Sequence, residues 1–364
     1  FDAKPDPTAP PESEPVFQFS IYADVTDSKG ETRSSSRVVN LGYAAIAASL
    51  SADDWLTSRE PVQIQVHTKS LDGEPRGAKG NVQIFAVQQP ETVSRPPLAS
   101  PYRPLNTTNP PASDPSNPSS WPLGELAHEA EFETNATGTV TISTDLDVGM
   151  YRVQLRSRDA FEKEITAELP ITVIDLQAKQ LAIKIPELYA SPKSSLEPGD
   201  EYLAVCGSGY ETARVFVEVE HRGKLLQSYW TDPDVTQSAI RQQIDETMRG
   251  GFNVRTTMVR ENRAYTQSQF VDVPWTNKQL SIRWEHFVSK LEPAAKEIWT
   301  AIVSGPDAEH VVAEMVATMY DASLDAFRPN SWPTMTGWFR RDQSYMQIVF
   351  ENQSKQLQHL IHSW

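Results

Sequence analysis

The chain has 364 residues and carries a formal net charge of -15, a length that fits about two to four domains. That acidity speaks against nucleic acid, whose phosphates demand clustered Lys and Arg, and against a basic membrane-surface patch. Hydrophobic residues reach 39 %, enough for ordinary cores, yet no run of about 18 apolar residues is present to span a bilayer. The single cysteine, Cys206, removes disulfide scaffolds and Cys-rich zinc sites.

Taken in chain order, Phe1-Asp2-Ala3-Lys4 shows no signal-peptide pattern and reads as an internal start, so a fragment or processed chain is expected. Residues 1–16 hold five prolines and read as an extended lead-in. Phe17 to Ala23 alternates as a strand with one buried face. Asp27-Ser28-Lys29-Gly30 is turn chemistry, and Arg37 to Leu41 supplies a return strand. Two strands do not stand alone, so residues 1–42 are expected to be the tail of a preceding domain. Val62 to His67 and Val82 to Val87 are the next strands, with the turn Leu71 to Pro75 between them. Ten of the 27 prolines then fall between Pro90 and Pro122. Such a segment cannot sustain a hydrogen-bonded ladder and is expected to be an inserted loop. Strands resume at Thr139 to Ile142, Tyr151 to Leu155 and Leu169 to Val173.

Val215 to Glu220, a hairpin turn at His221 to Lys224, and Leu225 to Tyr229 follow. Residues 239–248 fit a helical face through Ile240, Ile244 and Met248, but those residues also share strand parity. Gly250-Gly251 closes the element either way, and Phe252 to Val259 and Gln269 to Val273 are strands. Leu280 to Trp284, Ile298 to Val303 and Ala313 to Tyr320 come next. After Asp325 the pattern fails, and the Gln-rich stretch from Asp342 to Trp364 has helical spacing.

The chain also repeats itself. Lys179-Gln180-Leu181 and Leu196-Glu197-Pro198 return as Lys278-Gln279-Leu280 and Leu291-Glu292-Pro293, 99 and 95 residues later. A weaker copy runs from Tyr43 to Val62. That period is longer than a solenoid unit of about 20–50 residues and matches one β-sandwich. The expected organisation is all-β, a string of fibronectin/immunoglobulin-like antiparallel β-sandwiches. The units are 1–42, 43–175 with the Pro-rich insertion 90–122, 176–275, and 276–364, incomplete or interrupted after about 325. A short C-terminal helix is possible.

Three stretches resemble bacterial alpha-2-macroglobulin-like proteins, which are chains of macroglobulin domains of this sandwich type. They are Glu197 to Glu201 with Val215 to Gly223, Asp245 to Phe252, and Leu291-Glu292-Pro293 through Ala313 to Leu324. The resemblance covers about residues 17–327, and its second stretch favours strand over helix at 239–244. It implies a protease trap: an exported protein, periplasmic or on the cell surface, whose partners are proteases and the neighbouring domains of its own parent chain. Cleavage of an exposed bait segment would drive its conformational change. The bait position in the family falls near residues 325–342 here, where Arg328, Phe339, Arg340 and Arg341 are cleavable side chains, set against the plainer reading of a simple connection to a helix. Arg95 and Arg103 in the proline-rich insertion are a second candidate, opposed by its prolines. The rival readings are a cell-surface adhesin or spacer of immunoglobulin-like repeats, and an accessory carbohydrate-binding module.

No enzyme, cofactor or metal site is expected. Cys206-Gly207-Ser208-Gly209 begins like the family's thioester motif but lacks its Gln, and a buried structural thiol is the better reading. The same stretch is no nucleophile elbow, because Cys206 stands where the first Gly belongs. His359 and His362 could share a helix face, but no nearby carboxylate completes a zinc site. Of the nine tryptophans, Trp230, Trp284 and Trp299 are expected in cores, and Trp121, Trp332 and Trp338 in loops open to sugars.

Overall fold

Period-2 alternation builds this protein. The computed structural model describes residues 15–98, 114–288, 290–292, 294–306, 315, 320, 322–326, 329, 339–346 and 350. Among them the regular structure is antiparallel β with short 3-10 turns and no α-helix. Strands β1 (Phe17–Thr26) and β2 (Thr32–Leu41) form a separate hairpin. Its turn is held by Asp27, whose carboxylate accepts the backbone N–H groups of Lys29 and Glu31 at 2.8 and 2.9 Å. β2 starts earlier than its hydrophobic residues suggest, because Thr32 to Ser36 pair with β1 through the backbone without burying a side chain.

The first sandwich uses β3 (Ile46–Ala52), β4 (Leu56–Thr57), β5 (Val62–Ser70), β6 (Lys79–Val87), β7 (Leu123–Glu133), β8 (Thr139–Thr144), β9 (Gly149–Arg158) and β10 (Glu164–Ile174). They assemble as a three-stranded sheet β3-β5-β8 and a five-stranded sheet β4-β10-β9-β6-β7. Val62, Ile64 and Val66 of β5 face Val82 and Ile84 of β6 and Val153 and Leu155 of β9 across a shared core. The outward side chains form a wet polar ladder: Asn81 and Gln83 donate to Glu129 at 2.8 and 2.9 Å, and Gln154 donates to Glu168 at 2.7 Å. β7 escaped the sequence reading for a physical reason. It is an edge strand with Phe132 as its one fully buried residue, so its alternation is faint.

The second sandwich uses β11 (Leu188–Ala190), β12 (Glu201–Gly207), β13 (Phe216–His221), β14 (Lys224–Trp230), β15 (Gln237–Gln243), β16 (Phe252–Arg260) and β17 (Arg263–Val271). Its sheets are β11-β12-β15 and β14-β13-β16-β17. Tyr202, Val217, Ile240, Phe252 and Val254 fill the core, with the Tyr202 and Phe252 rings edge to face at 5.6 Å. Residues 237–243 are strand and Glu246–Met248 is a single 3-10 turn capped by Asp245, which resolves the ambiguity at 239–248. β13 and β14 turn at Arg222-Gly223, both with positive φ, the tight-hairpin geometry that matches strand twist. β16 and β17 turn the same way at Glu261-Asn262. β17 therefore begins at Arg263, six residues before its polar sequence suggests a strand.

Between the sandwiches lies a third core. Trp121 is 3 % exposed there and packs with Ile174, Leu181, Ile183, Ile185 and Val205. Its indole N–H donates to the carbonyl of Pro115 at 2.8 Å. The linker is stitched at several further points, among them Lys184 N–H to Gln89 Oε1 at 2.8 Å and Gln237 Nε2 to Asp175 O at 2.6 Å. Gly209 lets the linker pass: a Cβ there would sit 2.2 Å from the carbonyl of Ile183. The proline-rich insertion also reaches across, with Arg95 donating to Glu261 O and Arg263 donating to Pro96 O, both at 3.1 Å.

A last hairpin, β18 (Ser281–His286) and β19 (Thr300–Ser304), carries a ring cluster of Trp284, Phe287 and Trp299. The expected strand at Ala313 to Tyr320 lies almost wholly outside the described residues. So does the expected C-terminal helix, except for Asp342 to Met346 and Phe350, which are not helical.

The tryptophan expectation fails for Trp121, Trp230 and Trp284, while Trp299 is half-buried and packs on Phe287. Trp121, assigned to an open loop, is the centre of a core, whereas Trp230 and Trp284 are 54 % and 47 % exposed. The reason is strand position. Trp230 ends the edge strand β14 and leans on Phe216, and β18 lies in a two-stranded ribbon. Trp332 and Trp338 lie outside the described residues.

Candidate functional site

Residues 339–346 run as an extended strap over the outer face of the sheet β14-β13-β16-β17. The seat begins at Gly250 and Gly251, whose φ angles of 97° and 92° favour glycine. The strap requires Gly250 to be bare, and the neighbouring strand β17 requires the same of Gly251. A Cβ on Gly250 would lie 2.5 Å from Asp342 Oδ2, and one on Gly251 would lie 2.4 Å from the Phe270 ring. The carbonyl of Gly250 accepts the Asp342 N–H at 2.7 Å.

Arg249 fixes the turn. Its buried guanidinium pairs with Glu246 at 2.8 Å and Glu197 at 3.2 Å, and it donates to the carbonyl of Pro274 and to Thr276 Oγ1. Its Glu246 partner holds it protonated above the usual arginine range, and the Glu246 carboxyl is lowered in return. This clamp sets the adjoining Trp275, whose indole N–H donates to Arg340 O at 2.8 Å and whose ring stacks on Phe339 at 6.0 Å.

Asn253, outward-facing on β16, holds the strap's main chain on both sides of Gln343. Its Nδ2 donates to Asp342 O and its Oδ1 accepts the Ser344 N–H, each at 3.1 Å. The Asp342 carboxylate is only 7 % exposed and meets Arg222 at 3.2 Å and Arg340 at 2.8 Å. Under Ser344 lies Arg255, which donates to its Oγ at 3.4 Å and pairs with Glu220 at 2.5 Å and Glu218 at 3.8 Å. All three side chains of that ion cluster are largely buried.

Three of the sequence-derived candidates therefore meet in one place. Phe339 is half-exposed against Trp275. The Arg340 side chain lies largely in solvent while its carbonyl is tied to Trp275. Arg341 sits 4.7 Å over the Phe270 ring, 3.8 Å from Asp272, with most of its side chain exposed. Arg328 lies outside the described residues, as do Arg103, His359 and His362. Sequence reasoning missed Asn253, Arg255, Arg222 and Asp342. The available signal was the charge of Glu218, Glu220 and Arg255 at outward positions of neighbouring strands, which by itself reads as a solvated face.

Cys206 is in the second core, 2 % exposed, with its thiol pushed up to about 12 by burial. It is far from thiolate chemistry at neutral pH. Among the described residues no three His, Cys, Asp or Glu side chains are placed to hold a metal ion, and no helix is long and apolar enough to cross a membrane.

No family model matches the chain, and no curated protein matches it. Among solved structures, the chain is similar to the native conformation of E. coli alpha-2-macroglobulin at 12 % identity and a TM-score of 0.28, covering 81 % of this chain and 19 % of that one. It is similar to Salmonella alpha-2-macroglobulin reacted with methylamine at 14 % identity and a TM-score of 0.27, covering 82 % and 19 %. It is also similar to a tetra-tandem repeat in the extending region of a large adhesion protein at 12 % identity and a TM-score of 0.22, covering 80 % and 72 %. The chain thus spans about a fifth of the length of the alpha-2-macroglobulins it matches, and its function has to be argued from its own residues.

Proposed function

We propose that this chain is a structural segment of a protease trap of the alpha-2-macroglobulin type. Its role is mechanical: it is no enzyme, it uses no cofactor, and it works outside the cytoplasm, in the periplasm or at the cell surface. The observation that carries the reading is the strap. Phe339-Arg340-Arg341 is extended and offers two basic side chains to solvent, and the next residue, Asp342, is anchored on the second sandwich. Proteases bind extended substrate chains, and exposed segments are where they cut. A cut beside the anchor would leave what precedes the strap tied to the second sandwich only through the chain after β17, with the second tether at Asp342 lost.

The test is a brief trypsin digest of the native chain, with the first cut mapped by mass spectrometry and the product followed by sedimentation. The reading expects the first cut after Arg340 or Arg341, with a change in sedimentation coefficient. A first cut elsewhere, or a cut there that leaves the hydrodynamics untouched, would count against it. The second reading is a cell-surface adhesin or spacer. It is favoured by the buried core between the sandwiches, which joins them as a stiff pair, and it expects no sensitive site at residues 339–346.

A further inference from the structure

We propose that the outer face of β13, β16 and β17 is a sequence-selective receptor for an extended peptide of the form Asp-x-Ser, held at rest by the chain's own Asp342-Gln343-Ser344. The inference goes beyond the trap reading and does not depend on it.

Four hydrogen bonds grip the main chain of the occupant: Trp275 to Arg340 O, Asp342 N–H to Gly250 O, and the paired bonds of the Asn253 amide. Main-chain bonds give affinity for any extended chain, and pockets for alternate side chains give selection. The strap shows that alternation. Asp342 and Ser344 are turned in, Gln343 and Tyr345 are turned out, and Arg341 lies over Phe270 of the edge strand β17. The inward pockets differ in chemistry. The first has the Arg222 guanidinium for a carboxylate, and the bare Gly250 leaves room for it. The second presents Arg255 to a small hydroxyl, and Arg255 is fixed there by Glu218 and Glu220. Position x meets no pocket and is free to vary.

A face built this way is more than a resting place for a linker. A linker needs no glycine left bare beneath a carboxylate, as Gly250 is beneath Asp342, and no side-chain amide aligned to a peptide unit. The buried Arg255 cluster is also unusual for an outward face: its ion pairs are shielded from water, and the strap adds the Ser344 hydroxyl to them. When the strap leaves, the same groups stand ready for a second chain with the same pattern.

The experiment uses the whole chain carrying Asp342→Lys, which places a positive charge against Arg222 and frees the face. A fluorescent peptide with the sequence of residues 339–346 is titrated by anisotropy, with thermal melting to show that the variant is folded. Saturable binding is expected, and it should weaken about 10-fold or more when the peptide's Asp is replaced by Lys, or when Asn253→Ala is added to the protein. Wild-type chain, already occupied, should bind the peptide at least about 10-fold more weakly than the variant. No saturable binding to a folded variant would overturn the proposal, and so would equal binding of the Asp and Lys peptides. If the lysine variant does not fold, Asp342→Asn gives the same readings on a smaller scale. No protease is present, so failure here is distinct from failure of the trap reading.

Discussion

The two sandwiches present sheets of similar make to the outside, and they treat their outward polar residues in opposite ways. On the first, Gln83, Glu129, Gln154 and Glu168 form a ladder at the water-facing surface. On the second, Glu220, Asn253 and Arg255 occupy equivalent alternating positions yet are buried, with Asp342 and Ser344 of the strap bonded to Asn253 and Arg255. Alternation decides which way a side chain points. What then covers it is a long-range fact, here supplied from about ninety residues further along the chain. An outward charge can therefore be a solvated ornament on one sheet and the anchor of a binding face on its neighbour.

The sharpest way to break this comparison is Arg255→Met. It leaves Glu218 and Glu220 without their cation under the strap and should cost about 3–5 kcal/mol in urea denaturation. The counterpart on the first sandwich, Glu129→Ala, should cost about 1 kcal/mol or less, because its partners return to water. Equal losses would show that the second face is as wet as the first. Next in size, Gly250→Ala should cost about 1–3 kcal/mol through its positive φ. It should also undock the strap, read as faster tryptic cleavage after Arg341.

Smaller effects follow from two acids with opposite pH trends. Asp159, at the end of β9, is held below its ordinary value of 3.8 by the N–H of Ala45 first, and by those of Lys163 and Phe161. Its contribution is present above 3.8 and is lost as pH falls through the lower folded value. Asp159→Asn should therefore lower the melting temperature at pH 7 and matter least near pH 2. Glu187, before β11, is raised above 4.5 by burial, with Gln267 opposing. Its contribution is present below 4.5 and fades as pH rises through the folded value, so Glu187→Gln should raise the melting temperature at pH 7 and leave it unchanged near pH 3. Two parallel melting series settle the signs. The smallest effect concerns Cys206, which should resist iodoacetamide in the native chain and react only in denaturant. Labelling of the folded chain at neutral pH would contradict its place in the core.

How much of this was legible follows from the same physics. Strands with one buried face announced themselves, as with Val62 to His67 and Val215 to Glu220, and so did the Arg222-Gly223 hairpin. Edge strands such as β7 and polar strands such as β17 did not, because backbone pairing with little apolar burial leaves no period in the sequence. The strap's basic residues were visible as side chains a protease could use. Its dock was not, because Asn253 and Arg255 carry no local sign of what lies above them. Trp121 failed for a related reason. Proline-rich surroundings describe a backbone that cannot pair, and they say nothing about where one indole in it comes to rest.

That indole has a consequence for how the chain is made. Trp121 packs with Leu181, Ile183, Ile185 and Val205, the last of them 84 positions later. At a synthesis rate of about 5–20 residues per second, Val205 follows Trp121 by roughly 4–17 s. Once β10 is made at Ile174, 31 residues before Val205, the first sandwich can be complete in its own core and still show an uncovered aromatic patch. A nascent chain paused in that stretch would be at its stickiest, and slowing the ribosome over codons 175–205 should raise aggregation more than slowing it after them.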